Sequence, residues 1–179
     1  MKRIFLTIAL SASFVLIAQE KMVTKTGKIT FEASVPAFEE VKGKNDGVTF
    51  VLKPKTGEIA SLALMKGFRF KLALMEEHFN ENYINSDTYP KSTFKGKIEN
   101  FDAGALTTAF KDYTIKGKLE LHGKTNDVTT AAKIRKTDAG IEIITNFNVN
   151  ANDYDIAIPS VVKSKVSNKV KVNVEFIVK

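Results

Sequence analysis

Residues 78–97 read HFNENYINSDTYPKSTFKGK, and the interpretation of the whole chain starts from this stretch. Its first part does not alternate between apolar and polar residues but repeats its apolar side chains at helical spacing, which predicts a short helix near residues 75–85. Tyr89-Pro90 then indicates a turn whose tyrosine we expect to pack against the helix, and a new strand begins at Phe94. A single short helix is therefore set between strands.

Outside this stretch the chain alternates between apolar and polar residues, the pattern of half-buried β-strands. Short, turn-like connections and the lack of longer helical segments predict antiparallel pairing. Eight such strands form either a closed barrel or a two-sheet sandwich. The alternating segments are 29–33, 48–52, 60–72, 94–98, 113–121, 128–134, 141–149 and 170–178.

Two regions interrupt the alternation. The third segment contains a break at Lys66-Gly67, which we interpret as a bulge or bend within one long strand. Residues 150–167 have no clean period and contain Pro159, so they are predicted to form a long loop with a short helical turn. In a barrel this loop would lie across one mouth, where it could act as a lid.

The N-terminus has the features of a secretory signal peptide. Lys2 and Arg3 precede an apolar run from 4 to 17, and Ala18 stands before a polar sequence. We therefore assign residues 1–18 to a signal peptide and residues 19–179 to a single domain, with an uncleaved anchor as the alternative. The expected location is periplasmic or secreted.

Charge and cysteine content exclude several classes of function. The net charge of +7 is spread thinly, and without a block of like charges no nucleic-acid partner is predicted. A mildly positive field still favours an anionic headgroup or a membrane surface. The chain has no cysteine, which excludes disulfides, cysteine nucleophiles and thiolate metal sites.

The remaining candidates for chemistry are weak. His78 follows two glutamates, but consecutive residues cannot face one site together. His122 precedes Gly123 at a strand end, where we expect it to pin the turn through backbone groups. Asp153 and Asp155, with Asn150 and Asn152, lack the glycine and distal glutamate of a calcium loop and are better explained as loop-capping Asx turns. We predict no catalytic residue, no metal and no cofactor.

The apolar face of the strands mixes large and small side chains. Seven phenylalanines share this face with residues such as Ala33, Gly96, Gly117 and Thr130. The small residues leave room for an apolar ligand, unless large and small side chains interdigitate into an ordinary dense core. Both alternatives stay open at this point.

Two motifs stand in a fixed order along the chain: SDTYPKSTF at residues 86–94, after the short helix, and GKLELHG at residues 117–123, followed by Lys124-Thr125. In this order they resemble the YceI family. The resemblance extends over the whole mature chain and implies an exported, lipocalin-like barrel that binds polyisoprenoids or similar lipids. The chain departs from the family pattern at residues 152–156, NDYDI, near the expected mouth.

We therefore predict an all-β fold, an eight-stranded antiparallel lipocalin-like β-barrel that sequesters or carries an apolar chain ligand. The alternatives are a filled-core structural or interaction protein of the cell envelope, and a metal-dependent or hydrolytic enzyme that uses the 150–167 loop. The predicted partner is a lipid or polyisoprenoid, with a peripheral membrane contact and a homodimer as further alternatives. The predicted cavity wall consists of Phe31, Phe50, Leu62, Leu64, Phe68, Phe70, Phe94, Ile98, Leu119, Phe147 and Phe176.

Overall fold

The computed structural model describes residues 20–36 and 38–179. The predicted signal peptide, residues 1–18, lies outside the described residues. In chain order, the strands and the helix of the described part are β1 (Met22–Ser34), β2 (Lys42–Lys53), β3 (Glu58–Leu64), β4 (Arg69–Phe70), α1 (Ala73–His78), β5 (Lys91–Ile98), β6 (Lys111–Leu121), β7 (Lys124–Thr137), β8 (Gly140–Asn150) and β9 (Val166–Val178).

Eight of these strands close a barrel in which neighbours run antiparallel. Their order around the barrel is β1-β9-β8-β7-β6-β5-β3-β2, and β1 pairs with β2 as well as with β9, which closes the ring. The remaining strand, β4, contributes two residues that pair with the start of β2. The predicted eight-stranded antiparallel barrel is therefore confirmed, and the sandwich alternative is wrong.

The predicted long third strand is in fact two strands. The chain leaves β3 after Leu64 and makes a 3-10 turn at Met65–Gly67 before β4. The Asn45 side-chain amide donates to the Leu64 carbonyl oxygen at 3.0 Å, which fixes the point of departure. A Cβ on Gly67 would lie 2.6 Å from Asn45 Nδ2, so only glycine lets the chain pass this side chain.

The short helix is confirmed, and it is followed by a wider turn. α1 continues into a π-helical turn at Phe79–Tyr83, where the Ile84 amide donates to the Phe79 carbonyl oxygen at 2.9 Å. Asn85 ends this segment with a φ of 48°, a left-handed conformation that asparagine tolerates better than most residues. Among the residues described, none belongs to a helix long and apolar enough to cross a membrane.

The two ends of the barrel differ in their connections. At one end, called here the mouth end, lie the β1–β2 loop, the segment from β3 to β5 with α1, the β6–β7 turn and the loop from 151 to 165. At the opposite base end the connections are short turns and the segment 99–110, from which Leu106 is buried. The base half is packed solidly around four side chains with 0% exposure, Leu52, Ile98, Ile134 and Val178.

Candidate ligand-binding cavity

The mouth half of the barrel encloses a cavity of about 420 Å³. Most of the side chains that line it are apolar, and the others include five serine and threonine hydroxyls. The charged side chains and the histidine in its wall are Glu39, His78 and Lys165, and all three are exposed at the mouth end. A concave apolar space of this size, with polar groups at its edge, is typical of a site for one small apolar molecule.

Eight of the eleven residues predicted for the cavity wall lie in it. Six of them come from strands around the barrel, because inward-facing residues recur at every second position of a strand, and two, Phe68 and Phe70, come from the segment after β3. Their part in binding a ligand stays a prediction. The eight are Phe31, Phe50, Phe68, Phe70, Phe94, Leu119, Phe147 and Phe176.

The structure places the other three predicted residues elsewhere. Leu62 and Leu64 are 36% and 57% exposed on the outer face, because β3 turns Ile59 and Ala63 inward. Both parities of β3 carry apolar residues, so its alternation does not reveal which side faces the interior. Ile98 does point inward, but it belongs to the filled base half and does not line the cavity.

Four phenylalanine rings hold the helical segment against the barrel. Phe79, from the turn after α1, lies 5.2 Å from Phe31, 5.8 Å from Phe68 and 5.1 Å from Phe70, measured between ring centroids. Gly43 lies beneath two of these rings, and a Cβ there would come within 2.6 Å of Phe31. This cluster therefore fixes α1 and the following turn at the mouth by aromatic packing.

A stacked pair of rings forms the floor of the cavity. The Phe50 and Phe176 centroids are 4.3 Å apart with an interplanar angle of 22°. Gly27 makes room for this pair, since a Cβ there would lie 2.4 Å from the Phe176 ring. Leu52 and Val178 follow two positions further along the same strands and belong to the solid base. The pair thus marks the boundary between the two halves.

The sequence reasoning missed much of the wall near the mouth. The apolar parity of β9 contained a usable signal, since Val170, Val172 and Val174 alternate strictly. The helical spacing of Met75 and Phe79 was a second signal. The loop residues had no periodic signal, because irregular backbone sets their direction. The missed lining residues include Ile29, Phe38, Met75, Phe79, Ile156, Ile158, Val162, Val170, Val172 and Val174.

The barrel wall changes character between β7 and β8. Their backbone pairing runs from Thr137↔Gly140 at the base end only as far as Ala132↔Thr145, so the parts of the two strands nearer the mouth do not pair. At this point hydroxyl groups replace the ladder: Thr145 donates to the Ala131 carbonyl oxygen at 2.7 Å and Thr130 donates to that of Asn146 at 3.0 Å. We call this junction the seam. Because these hydroxyls are bonded to backbone, they leave the cavity wall apolar.

The two sequence motifs meet above the seam. The Tyr89 and His122 rings are 4.5 Å apart, edge to face, and His122 Nδ1 donates to the Tyr154 carbonyl oxygen at 2.9 Å. Asn126 Nδ2 donates to the Asp153 carbonyl oxygen at 2.7 Å. These contacts join three segments of the mouth end, and we call them the clamp. Burial raises the pKa of the Tyr154 phenol, while a hydrogen bond with Asn126 opposes that rise.

The clamp corrects two expectations. His122 does bond a backbone group, but that group belongs to Tyr154 in a distant loop and not to its own turn. Tyr89 packs against His122 and not against the helix as expected. A Cβ on Gly123 would lie 2.7 Å from the Tyr89 ring, which accounts for the glycine after the histidine.

The other polar candidates do not converge. The Glu76 carboxylate bonds Arg69 Nη1 at 2.8 Å and accepts from the Phe70 amide at 3.2 Å, while His78 is exposed. Asp155 pairs with Lys124 at 2.8 Å, and this contact raises the pKa of the lysine. The Asn150 side chain accepts from the Asn152 amide, an Asx turn as expected. Within the described ranges there is no group of three residues suited to a metal ion.

A closed antiparallel barrel with an apolar cavity in one half defines the class of lipocalin-like binding barrels. The YceI-like domain family model matches residues 20–178, and the chain belongs to this family. A comparison with the curated proteins found no match.

Solved structures of the same fold come from several bacteria. A polyisoprenoid binding domain from Saccharophagus degradans, implicated in plant cell wall breakdown, has a TM-score of 0.73 at 16% identity, covering 89% of this chain and 97% of that one. Burkholderia cenocepacia BcnA has a TM-score of 0.70 at 17% identity, covering 86% and 96%. The Campylobacter jejuni YCEI protein has a TM-score of 0.62 at 17% identity, covering 79% and 86%. At these identities the likeness shows a shared fold.

Proposed function

We propose that this chain is an exported protein that sequesters or carries one apolar chain molecule, a polyisoprenoid or another lipid, inside its barrel. The observation that carries this proposal is the cavity of about 420 Å³ with an apolar interior and charges only at its mouth. Residues 1–18 would direct export, and residues 19–179 would form the single binding domain. YceI-like proteins are typically periplasmic, which supports a periplasmic or secreted location.

The binding energy would come from removing the chain from water. Each buried methylene contributes about 0.8 kcal/mol, so about ten of them supply roughly 8 kcal/mol before costs. Ordering a flexible chain opposes this gain, and a preformed wall reduces the cost on the protein side. Contacts within the chain, in the clamp and the phenylalanine cluster, fix the mouth segments against the barrel, and such contacts would preform the wall.

Native mass spectrometry of the mature protein, purified from its own host, tests the proposal. A stoichiometric apolar adduct, identified after organic extraction, is the expected result. A clean apo mass combined with no uptake of offered prenyl alcohols would overturn it and favour the filled-core interaction protein. The homodimer stays a separate prediction, which analytical ultracentrifugation of the same sample tests.

A matched pair of variants localises the binding. Phe94 lines the cavity, whereas Leu62 lies on the outer face of neighbouring β3. We expect Phe94→Ala to weaken prenyl alcohol binding about tenfold or more, since a large apolar contact is lost, and Leu62→Ala to leave it unchanged. Equal effects of the two substitutions would place the ligand outside the cavity.

A further inference from the structure

Exposed apolar side chains are concentrated at the mouth end of the molecule. Among the large apolar residues that the structure describes, the four most exposed are Val161, Leu74, Leu64 and Phe38, at 82%, 59%, 57% and 47%. All four lie at the mouth end. Single exposed apolar residues are ordinary on protein surfaces, but their accumulation at one end indicates an interaction surface.

Three segments contribute to this surface, and each also lines the cavity. Phe38 lies in the β1–β2 loop, Leu72 and Leu74 lie at the start of α1, and Val161 lies in the loop from 151 to 165. We call Phe38, Leu72, Leu74 and Val161 together the rim patch. Leu72, Leu74 and Val161 do not line the cavity, so ligand binding inside the barrel does not explain their exposure.

The charge next to Val161 is positive. The chain from 156 to 174 contains four lysines and no acidic residue. None of the four forms an ion pair with another part of the chain that the structure describes. Lys163 and Lys165 follow Val161 directly in the same loop. The part of the loop from 156 to 165 therefore combines the exposed Val161 with two lysines outside the ion pairs of the described chain, the combination found in membrane-surface segments. The carboxylates of the mouth end lie at 153 and 155, where Asp155 pairs with Lys124, and on the other two segments.

We propose that the rim patch docks on an anionic lipid bilayer with the mouth of the barrel facing the membrane. The apolar side chains enter the headgroup region, and Lys163 and Lys165 meet anionic headgroups. In this orientation an apolar molecule passes between bilayer and cavity without crossing water. That transfer rests on the proposed function, whereas the docking itself does not.

Site-specific fluorescence tests the orientation. Because the chain has no cysteine, single-cysteine variants accept one environment-sensitive label each. We expect labels at Leu74→Cys and Val161→Cys to shift to the blue with vesicles of equal phosphatidylcholine and phosphatidylglycerol, and a label at Val23→Cys, at the base end, to stay unchanged. The proposal is overturned by no shift at position 161, by equal shifts at all three positions, or by equal shifts with pure phosphatidylcholine. No shift at position 161 would indicate that the rim patch binds a partner protein and not a membrane.

Vesicle affinities of matched variants test the energetics. We expect Val161→Asp to weaken binding about tenfold, from the lost apolar contact, and Lys163→Gln about fivefold, as for one lysine at an anionic surface. Val23→Asp and Lys95→Gln are exposed controls away from the mouth and should bind as the wild type does. Wild-type vesicle affinity of Val161→Asp would overturn the docking.

A parallel uptake measurement separates the docking from the proposed function. Neither Val161 nor Lys163 lines the cavity, so both rim variants should take up a short prenyl alcohol from solution as the wild type does. Normal uptake with lost vesicle binding supports docking as a distinct property. Absence of uptake by the wild type would overturn the proposed function, while the vesicle results would still decide the docking.

Discussion

The base half and the mouth half of this barrel use the same strands but fill their interiors differently. In β5, Ile98 is completely buried in the base, whereas Phe94, four residues earlier, faces the cavity. The Phe94 ring covers Gly96 and Gly117, and a Cβ on either glycine would come within 2.8 Å of it. The aromatic ring thus fills the space that side chains at the two glycine positions would otherwise occupy.

This difference shows that side-chain volume and the end connections, not strand number, decide whether an eight-stranded barrel is filled or hollow. The base half places aliphatic side chains opposite one another and is closed by short turns and the segment 99–110, from which Leu106 is buried. The mouth half places phenylalanines opposite small residues such as Thr130 and Thr145, and its longer connections carry part of the wall. The base half therefore forms a solid core, whereas the mouth half leaves the candidate cavity.

The largest expected effect comes from removing a side chain of the base. Ile98→Ala should lower the free energy of unfolding by about 2–5 kcal/mol, because a fully buried site cannot refill the lost volume. Phe147→Ala, in the half-buried cavity wall, should cost only about 1 kcal/mol, below that range. Urea denaturation followed by circular dichroism measures both. Equal costs would contradict the division into a filled and a hollow half.

Ligand affinity should show the reverse order. Phe147→Asp puts a carboxylate in the wall that water reaches when the cavity is empty but that a ligand desolvates, at a cost of about 2 kcal/mol or roughly thirtyfold in affinity. Isothermal titration with a short prenyl alcohol measures this loss. Leu62→Asp, on the outer face, is the control and should bind normally. A normal affinity of Phe147→Asp would exclude this wall from the site.

Much of the fold was predictable because strand alternation is a local property of the sequence. The eight strands, the short helix and the long loop follow from periods of two and about four residues. The split after Leu64 was not predictable, since it depends on Asn45, which reaches β3 from β2 through tertiary contact. The break at Lys66-Gly67 indicates that the chain changes direction, but it does not indicate that β4 pairs with β2 and not with β5.

The candidate site was predictable only where a strand has one apolar face. β9 and β8 satisfy that condition, whereas β3 has leucines on its outer face and only one large apolar residue, Ile59, inside. The seam and the clamp could not be predicted from the sequence. Strand register brings Thr130 to Thr145, and the path of a loop brings Tyr154 to His122. No pattern along the chain encodes those contacts.

A smaller effect is expected at the seam. There, hydrogen bonds from threonine hydroxyls to backbone carbonyl oxygens take over where the backbone pairing of β7 and β8 ends. Thr130→Val and Thr145→Val should each cost about 1 kcal/mol, since each removes a hydrogen bond to a backbone carbonyl oxygen. The two hydroxyls are also 3.0 Å apart, so the double variant should cost less or more than the sum. Unfolding of the four proteins in urea gives this coupling. Strict additivity would show that the hydroxyls act independently.

The smallest effect concerns the clamp and appears only at alkaline pH. Burial raises the pKa of Tyr154 above its unfolded value of about 10, so the folded protein holds the phenolic proton more tightly than the unfolded chain does. The stability from this group is therefore complete below about pH 10 and is lost as the pH rises through the folded pKa. Unfolding free energies between about pH 9 and 11 should fall more steeply for the wild type than for Tyr154→Phe. Parallel curves would mean that folding leaves the pKa of this phenol unchanged and that burial of Tyr154 does not oppose its ionisation.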